Sequence, residues 1–150
     1  MSPGGGKHSG RGTSARARTI LVADDSEGFL FIFRHVLRGA GYRVLLARDG
    51  AEAVRVALSR RPALVVLDLR MPVLGGVEAA RQLRADARTE RTPLLAITST
   101  VGELAEEMRS VGFDGYFPKP FDPELLLETI ERLLAPAAGE RRDGAASPAP

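Results

Sequence analysis

The sequence predicts an α/β fold: a doubly wound parallel sheet of five strands in the order 2-1-3-4-5, with helices on both faces. Three observations carry this expectation. Short β-branched or aliphatic runs alternate with segments of helical period five times between Thr19 and Pro136, and strict alternation of that kind belongs to parallel sheets with right-handed crossovers. The runs suit burial on both faces, as strands of such sheets require. Four of them end in Asp24-Asp25, Asp68, Thr98 and Lys119, and ligands of open α/β sheets bind outside the carboxyl ends of the strands.

Taken in order, the strands are expected at Thr19 to Ala23, Arg43 to Leu46, Ala63 to Leu67, Leu94 to Ile97 and Gly115 to Phe117. Helix one covers about Glu27 to Arg38, with Gly39 and Gly41 as stop signals. A helical wheel turns Phe29, Ile32, Phe33, Val36 and Leu37 toward the core and leaves Phe31 outside, near His35 and Arg38; a single exposed aromatic needs no special explanation. Helix two starts near Ala51, places Val54, Ala57 and Leu58 on one face, and stops before Pro62. Helix three runs from about Val77 to Ala87 and helix four from about Gly102 to Val111. Helix five opens with Asp122-Pro123, an N-cap followed by proline at the first helical position. Its Leu126, Ile130, Leu133 and Leu134 recur at helical spacing, and Pro136 ends it. Pro118 places strand five at an edge, where a missing ladder hydrogen bond does little harm.

At 150 residues the chain is one domain's worth, long enough to bury roughly 68–70% of its unfolded surface. It has no cysteine, which excludes disulfides, thiolate metal sites and cysteine nucleophiles. No apolar run approaches the roughly 20 residues of a membrane span, and the stretch before Ile20 has no apolar segment of a signal peptide; a soluble, cytoplasmic protein is expected. The net charge of +2 is uneven: residues 1–18 carry +4 from Lys7, Arg11, Arg16 and Arg18, residues 137–150 balance, and the body is left at −2. A mildly acidic body is unlike a nucleic-acid binder. Residues 1–18 and 137–150, polar and rich in Gly, Pro and Ala, are expected to be disordered tails around a domain at 19–136.

Three carboxylates, an ammonium and a hydroxyl at one sheet edge make poor packing, because bunched like charges cost energy unless a cation or a proton compensates them. They make good sense as a Mg2+ site beside a phosphorylated carboxylate. The plainer reading of Asp24 and Asp25 is an N-cap of helix one, but Ser26 can cap as well, so capping does not require two acids. Lys119 has an internal control: the chain holds nineteen arginines and two lysines, and the other lysine lies in the basic tail. A lysine kept here points to a need for a compact point charge rather than a planar fork. Neither His8 nor His35 has a metal-ligand neighbour, so neither is assigned a role.

Asp24-Asp25, then Asp68-Leu69-Arg70-Met71-Pro72 with Gly76, then Thr98-Ser99, then Tyr116-Phe117-Pro118-Lys119-Pro120-Phe121 together resemble the receiver domain of bacterial two-component response regulators, from about Ile20 to Leu134. The resemblance implies a flavodoxin-like fold and a division of labour. Asp25 and Asp68 would bind Mg2+ directly, the backbone carbonyl of Arg70 would supply a third ligand, and Asp24 would act through water. Asp68 would also be the phospho-acceptor, attacking a phosphohistidine of a histidine kinase or phosphotransfer protein, with Mg2+ and Lys119 stabilising the phosphoryl oxygens. Thr98 would donate its hydroxyl to the phosphoryl group, and Tyr116 would change rotamer into the space left by Thr98. That switches a protein-binding face of helix four, strand five and helix five. The resemblance also implies a cis Lys119-Pro120 peptide that aims the ammonium at Asp68.

Three features depart from the family. Gly75 stands where Asp or Asn is common, the segment from Thr98 to Gly112 is one residue short, and Arg70 puts a large cation beside the acceptor, which implies an altered acyl-phosphate lifetime. An aspartate-nucleophile phosphatase of the haloacid dehalogenase type would separate its two aspartates by one residue, and a degenerate docking module would have lost a site residue. A flavodoxin-like nucleotide binder would place Gly, Ser or Thr amides after strand one, where an acidic pair repels phosphate. With fourteen residues after Pro136, the chain is expected to be a stand-alone receiver that is no separate enzyme and signals by binding another protein, without direct contact to DNA or membrane.

Overall fold

The computed structural model describes residues 18–99, 102 and 105–136; the expected tail disorder at 1–17 and 137–150 lies outside them. The elements are β1 (Thr19–Ala23), α1 (Glu27–Gly39), β2 (Arg43–Ala47), α2 (Gly50–Arg60), β3 (Leu64–Asp68), α3 (Gly76–Ala85), β4 (Leu94–Thr98), α4 (Ala105–Val111), β5 (Gly115–Pro118) and α5 (Pro123–Leu134). The strands pair in parallel in the order β2-β1-β3-β4-β5, as the alternation predicts. The expected start of helix four near Gly102 falls at positions partly outside the described residues. No helix among the described residues is long and apolar enough to cross a membrane.

Alternate residues of each strand feed two cores. Ile20, Val22, Leu64, Val66, Leu95, Ile97 and Phe117 pack against Leu30, Phe33 and Leu37 of α1 and Leu126 and Ile130 of α5. On the opposite face, Leu21, Ala23, Val65, Leu67 and Leu94 meet Ala53, Val54 and Ala57 of α2 and Ala79, Ala80 and Leu83 of α3. Met108 of α4 joins Leu69 and Ala96 on a third cluster. Small alanines on α2 and α3 let those helices approach closely enough to seal the sheet.

Local chemistry sets the helix ends. Ser26 caps α1 through Phe29 N, Asp49 caps α2 through Glu52 N, and Asp122 caps α5 through Glu124 N and Leu125 N. Glu52 Oε1 in turn accepts from the N–H of Arg48, the residue before the cap, at 2.9 Å. Helix α3 ends at Ala85, two residues short of expectation. The Thr89 hydroxyl takes the Leu83 carbonyl at 2.7 Å, and Asp86 turns its carboxylate onto the backbone and guanidinium of Arg88, offering the chain a turn in place of another helical residue. Those Arg88 hydrogen bonds, side chain first, hold the Asp86 carboxyl at about 2.

Helix α1 corrects the expected core face. Leu30 is buried and Ile32 is 43% exposed. Leu30, Phe33 and Leu37 form the stripe against the sheet, and Ile32, about 100° from Phe33 on the wheel, falls outside it. Phe31 is 72% exposed, as expected, and stacks on the His35 ring at 6.4 Å.

Candidate functional site

Strand register gathers the polar residues that the sequence places at strand ends. Ala23 pairs with both Ala47 and Leu67, Asp68 with Ile97, and Thr98 with Pro118. Asp24, Asp68, Thr98 and Lys119 therefore leave adjacent strands at one level. Asp24, Asp68 and Thr98 are buried, while Asp25 is exposed at the mouth. Lys119 follows Pro118 at the edge of the sheet, its backbone N–H bonded to the Thr98 carbonyl at 3.2 Å, and the Lys119-Pro120 peptide is cis.

The three carboxylates offer oxygens that all lie within 4.8 Å of one another. Asp24 Oδ1 accepts from Ser26 N at 2.9 Å, so the cap of α1 falls to Ser26 and the acid is held for other use. Asp68 Oδ1 accepts from Arg70 N at 3.2 Å and Oδ2 accepts from Lys119 Nζ at 2.9 Å. Lys119 Nζ also lies 3.0 Å from Asp24 Oδ2, as an ion pair without hydrogen-bond geometry. Asp24 Oδ2 is thereby a buried side-chain oxygen with no hydrogen bond.

Burial pushes the Asp68 carboxyl above its ordinary range, with the Asp24 charge adding to it, against the downward pull of Lys119 and Arg70 N. Burial by itself lowers the Lys119 ammonium, but the hydrogen bond to Asp68 and the attraction of Asp24 outweigh it and raise the group overall. The Lys119 ammonium contacts two of three carboxylates whose oxygens lie within 4.8 Å of one another. A buried carboxylate oxygen held by an ion pair without a hydrogen bond and an all-oxygen donor set fit a hard divalent cation such as Mg2+.

The loop after Asp68 forms the outer wall. Leu69, Arg70, Met71 and Pro72 line a concavity with Asp25. Val73 turns the chain with φ of 69°, and Leu74 N bonds back to the Pro72 carbonyl at 2.6 Å. Gly75 stands as the N-cap of α3 with no side-chain cap, the counterpart of the missing Asp or Asn. Gly76 N bonds to the Leu69 carbonyl at 3.0 Å and brings α3 against the end of β3.

The site residues expected at the carboxyl edge from the sequence thus converge, with Tyr116 one strand out on β5, paired with Ala96 and 55% exposed. Two further residues were not expected. Phe29, assigned only to the core, also holds its ring under Lys119 Nζ, 4.3 Å from the centroid. Arg84 donates to the carbonyls of Glu90, Thr92 and Gly112 and to the carboxylate of Asp114, tying α3 to the loop before β4 and the loop after α4. Neither carries a spacing signal, because the partners lie 90 and up to 30 residues away along the chain.

Comparison with known proteins agrees with this geometry. The family model described as response regulator receiver domain matches residues 20–131. Protein PilH of Pseudomonas aeruginosa is 36% identical over 117 residues, 77% of this chain and 97% of that protein. The polar-differentiation response regulator DivK of Brucella anthropi is 29% identical, over 80% of this chain and 98% of its own length. Among solved structures, the chemotaxis protein CheY4 of Vibrio cholerae superposes with a TM-score of 0.74 at 37% identity, covering 79% of this chain and 99% of that one. The receiver domain of the sensor histidine kinase PA1611 of Pseudomonas aeruginosa, solved with magnesium coordinated in its active-site cleft, superposes with a TM-score of 0.75 at 33% identity over 79% of this chain and 98% of that one.

Proposed function

The chain belongs to the response regulator receiver family, and from that premise we propose that it is a single-domain response regulator whose Asp68 accepts a phosphoryl group from a histidine kinase or phosphotransfer protein. The observation that carries this reading is the buried Asp68 carboxylate held between Lys119 Nζ and Arg70 N at the carboxyl edge of the sheet. Near-complete coverage of PilH and DivK supports the single-domain part.

Asp24, Asp25, Asp68 and the Arg70 carbonyl would hold Mg2+, which when bound supplies positive charge to the carboxylates and to the phosphoryl oxygens. An Asp68 carboxylate oxygen forms a bond to phosphorus while the P–N bond of the phosphohistidine breaks, and the departing imidazole nitrogen regains a proton. Lys119 stabilises the charge on the transferring group. Burial and the Arg70 N hydrogen bond keep Asp68 in one orientation, so no rotamer search precedes attack.

Thr98, buried at the end of β4, would then donate its hydroxyl to the phosphoryl group. Tyr116 of β5 starts from an outward position, 55% exposed, and Leu125 of α5 is 49% exposed. An inward turn of Tyr116 would change the surface of α4, β5 and α5 seen by a downstream protein. Phosphorylation in this account shifts a population between two arrangements. The product is the modified protein itself, in the cytoplasm, and no separate substrate turns over.

Intact-mass measurement after incubation with acetyl phosphate tests the reading. A gain of about 80 Da that requires both Mg2+ and Asp68, and is absent in Asp68→Asn, is expected. Equal modification of Asp68→Asn, or none in the wild type with Mg2+, would overturn it.

A further inference from the structure

On the reading that Lys119 steadies the phosphoryl group, we propose that Phe29 is the positioning residue for that ammonium, holding it over the site through a cation–π contact. Lys119 Nζ sits 4.3 Å from the Phe29 centroid, and its side chain is 14% exposed. Shielding from water is the condition under which such a contact is strongest.

The need for this contact follows from what happens to the other partners. Before reaction, Lys119 is held by Asp68 at 2.9 Å and Asp24 at 3.0 Å. Both carboxylates change occupation in the proposed chemistry: Asp68 becomes an acyl phosphate, and Asp24 serves the cation. A lysine stem has many rotamers and loses its anchors at the moment its charge is required. The ring face attracts the cation without offering a lone pair, so it does not compete with the phosphoryl oxygens and leaves the N–H donors to them.

Phe29 is itself fixed from behind. It lies in the first turn of α1, where its N–H donates to Ser26 Oγ at 3.2 Å, and its ring packs against the core cluster of α1 and α5. Ser26 N in turn donates to Asp24 Oδ1 at 2.9 Å. The contacts run from Asp24 through Ser26 and Phe29 to Lys119 and back to Asp24, so the helix cap and the ammonium are built as one unit.

The test compares rates of Asp68 phosphorylation by acetyl phosphate at saturating Mg2+ for wild type, Phe29→Leu, Phe29→Met and Phe29→Tyr, each with Lys119 and with Lys119→Met. Leucine and methionine keep apolar bulk without a ring, and methionine serves if leucine fails to fold. We expect both to slow the reaction about 5- to 30-fold. Tyrosine retains the ring and should stay within about twofold of wild type, and in the Lys119→Met background Phe29→Leu should change the rate by less than about twofold. Leucine and methionine variants as fast as wild type, or equally slowed whether or not Lys119 is present, would overturn the positioning role while leaving Asp68 as acceptor. A wild type that gains no phosphoryl group would overturn both.

Discussion

Gly76→Ala should damage the fold and the proposed acceptor Asp68 together. A Cβ at residue 76 would stand 2.4 Å from the Asp68 carbonyl oxygen, 2.8 Å from Leu69 Cα and 3.0 Å from the Asp68 carbonyl carbon. All three atoms are backbone, so no side chain can swing aside. Restoring van der Waals separation requires about 1 Å of displacement between α3 and the end of β3, and overpacking of this kind costs about 1–3 kcal/mol. The helix preference of alanine offsets part of that, leaving a net loss of about 2 kcal/mol and a urea midpoint lower by about 1 M. The displaced backbone carries Asp68 and leads to Arg70, so phosphorylation by acetyl phosphate should also slow, by about 10- to 100-fold for a shift of that size. Gly75→Ala is the control next door, where the added Cβ meets only the Leu69 carbonyl oxygen at 3.2 Å, and its effect should stay within about 0.5 kcal/mol. Urea titration and intact-mass kinetics on the two variants decide the matter. Equal midpoints and equal rates for Gly76→Ala and Gly75→Ala would refute the close-approach argument.

Two further outcomes follow from the same loop and site. Asp68 has a folded-state pKa above its ordinary value because of burial, so its ionisation opposes folding, with the loss developing as pH rises from about 4 through the raised value. Asp68→Asn should accordingly have a higher urea midpoint than wild type at pH 7 without Mg2+, and the gap should close toward pH 4; a lower midpoint at pH 7 would contradict the assigned sign. Val73 is a β-branched residue at φ of 69° with 79% exposure, so Val73→Gly relieves left-handed strain while removing little contact. Allowing for the freer unfolded chain, thermal melting should show a gain of about 0.5–1 kcal/mol, and a drop in melting temperature would show that the turn is unstrained.

Element order, sheet order and the identity of the carboxyl-edge residues are legible in the sequence. Each rests on a local pattern: apolar runs of strand length, a cap such as Asp122-Pro123, and polar residues placed at strand ends, where the chain must turn in any parallel sheet. The single lysine of the body, in a chain that otherwise uses arginine, marked Lys119 before any distance was known. How those residues meet is a matter of tertiary packing. It assigned the cap of α1 to Ser26 and left Asp24 Oδ2 without a hydrogen bond, which depends on where Lys119 arrives from a distant strand. It moved Ile32 out of the core and Leu30 into it, because the sheet selects one stripe of a helix that is apolar on several sides. It also set Phe29 beneath Lys119, a contact between residues far apart in the chain that no spacing rule encodes. Local order is written in short-range backbone preferences and hydrophobic period, whereas the electrostatics of the site arise from long-range packing that brings charges to within about 3 Å of each other, where Coulomb energies are large enough to decide protonation.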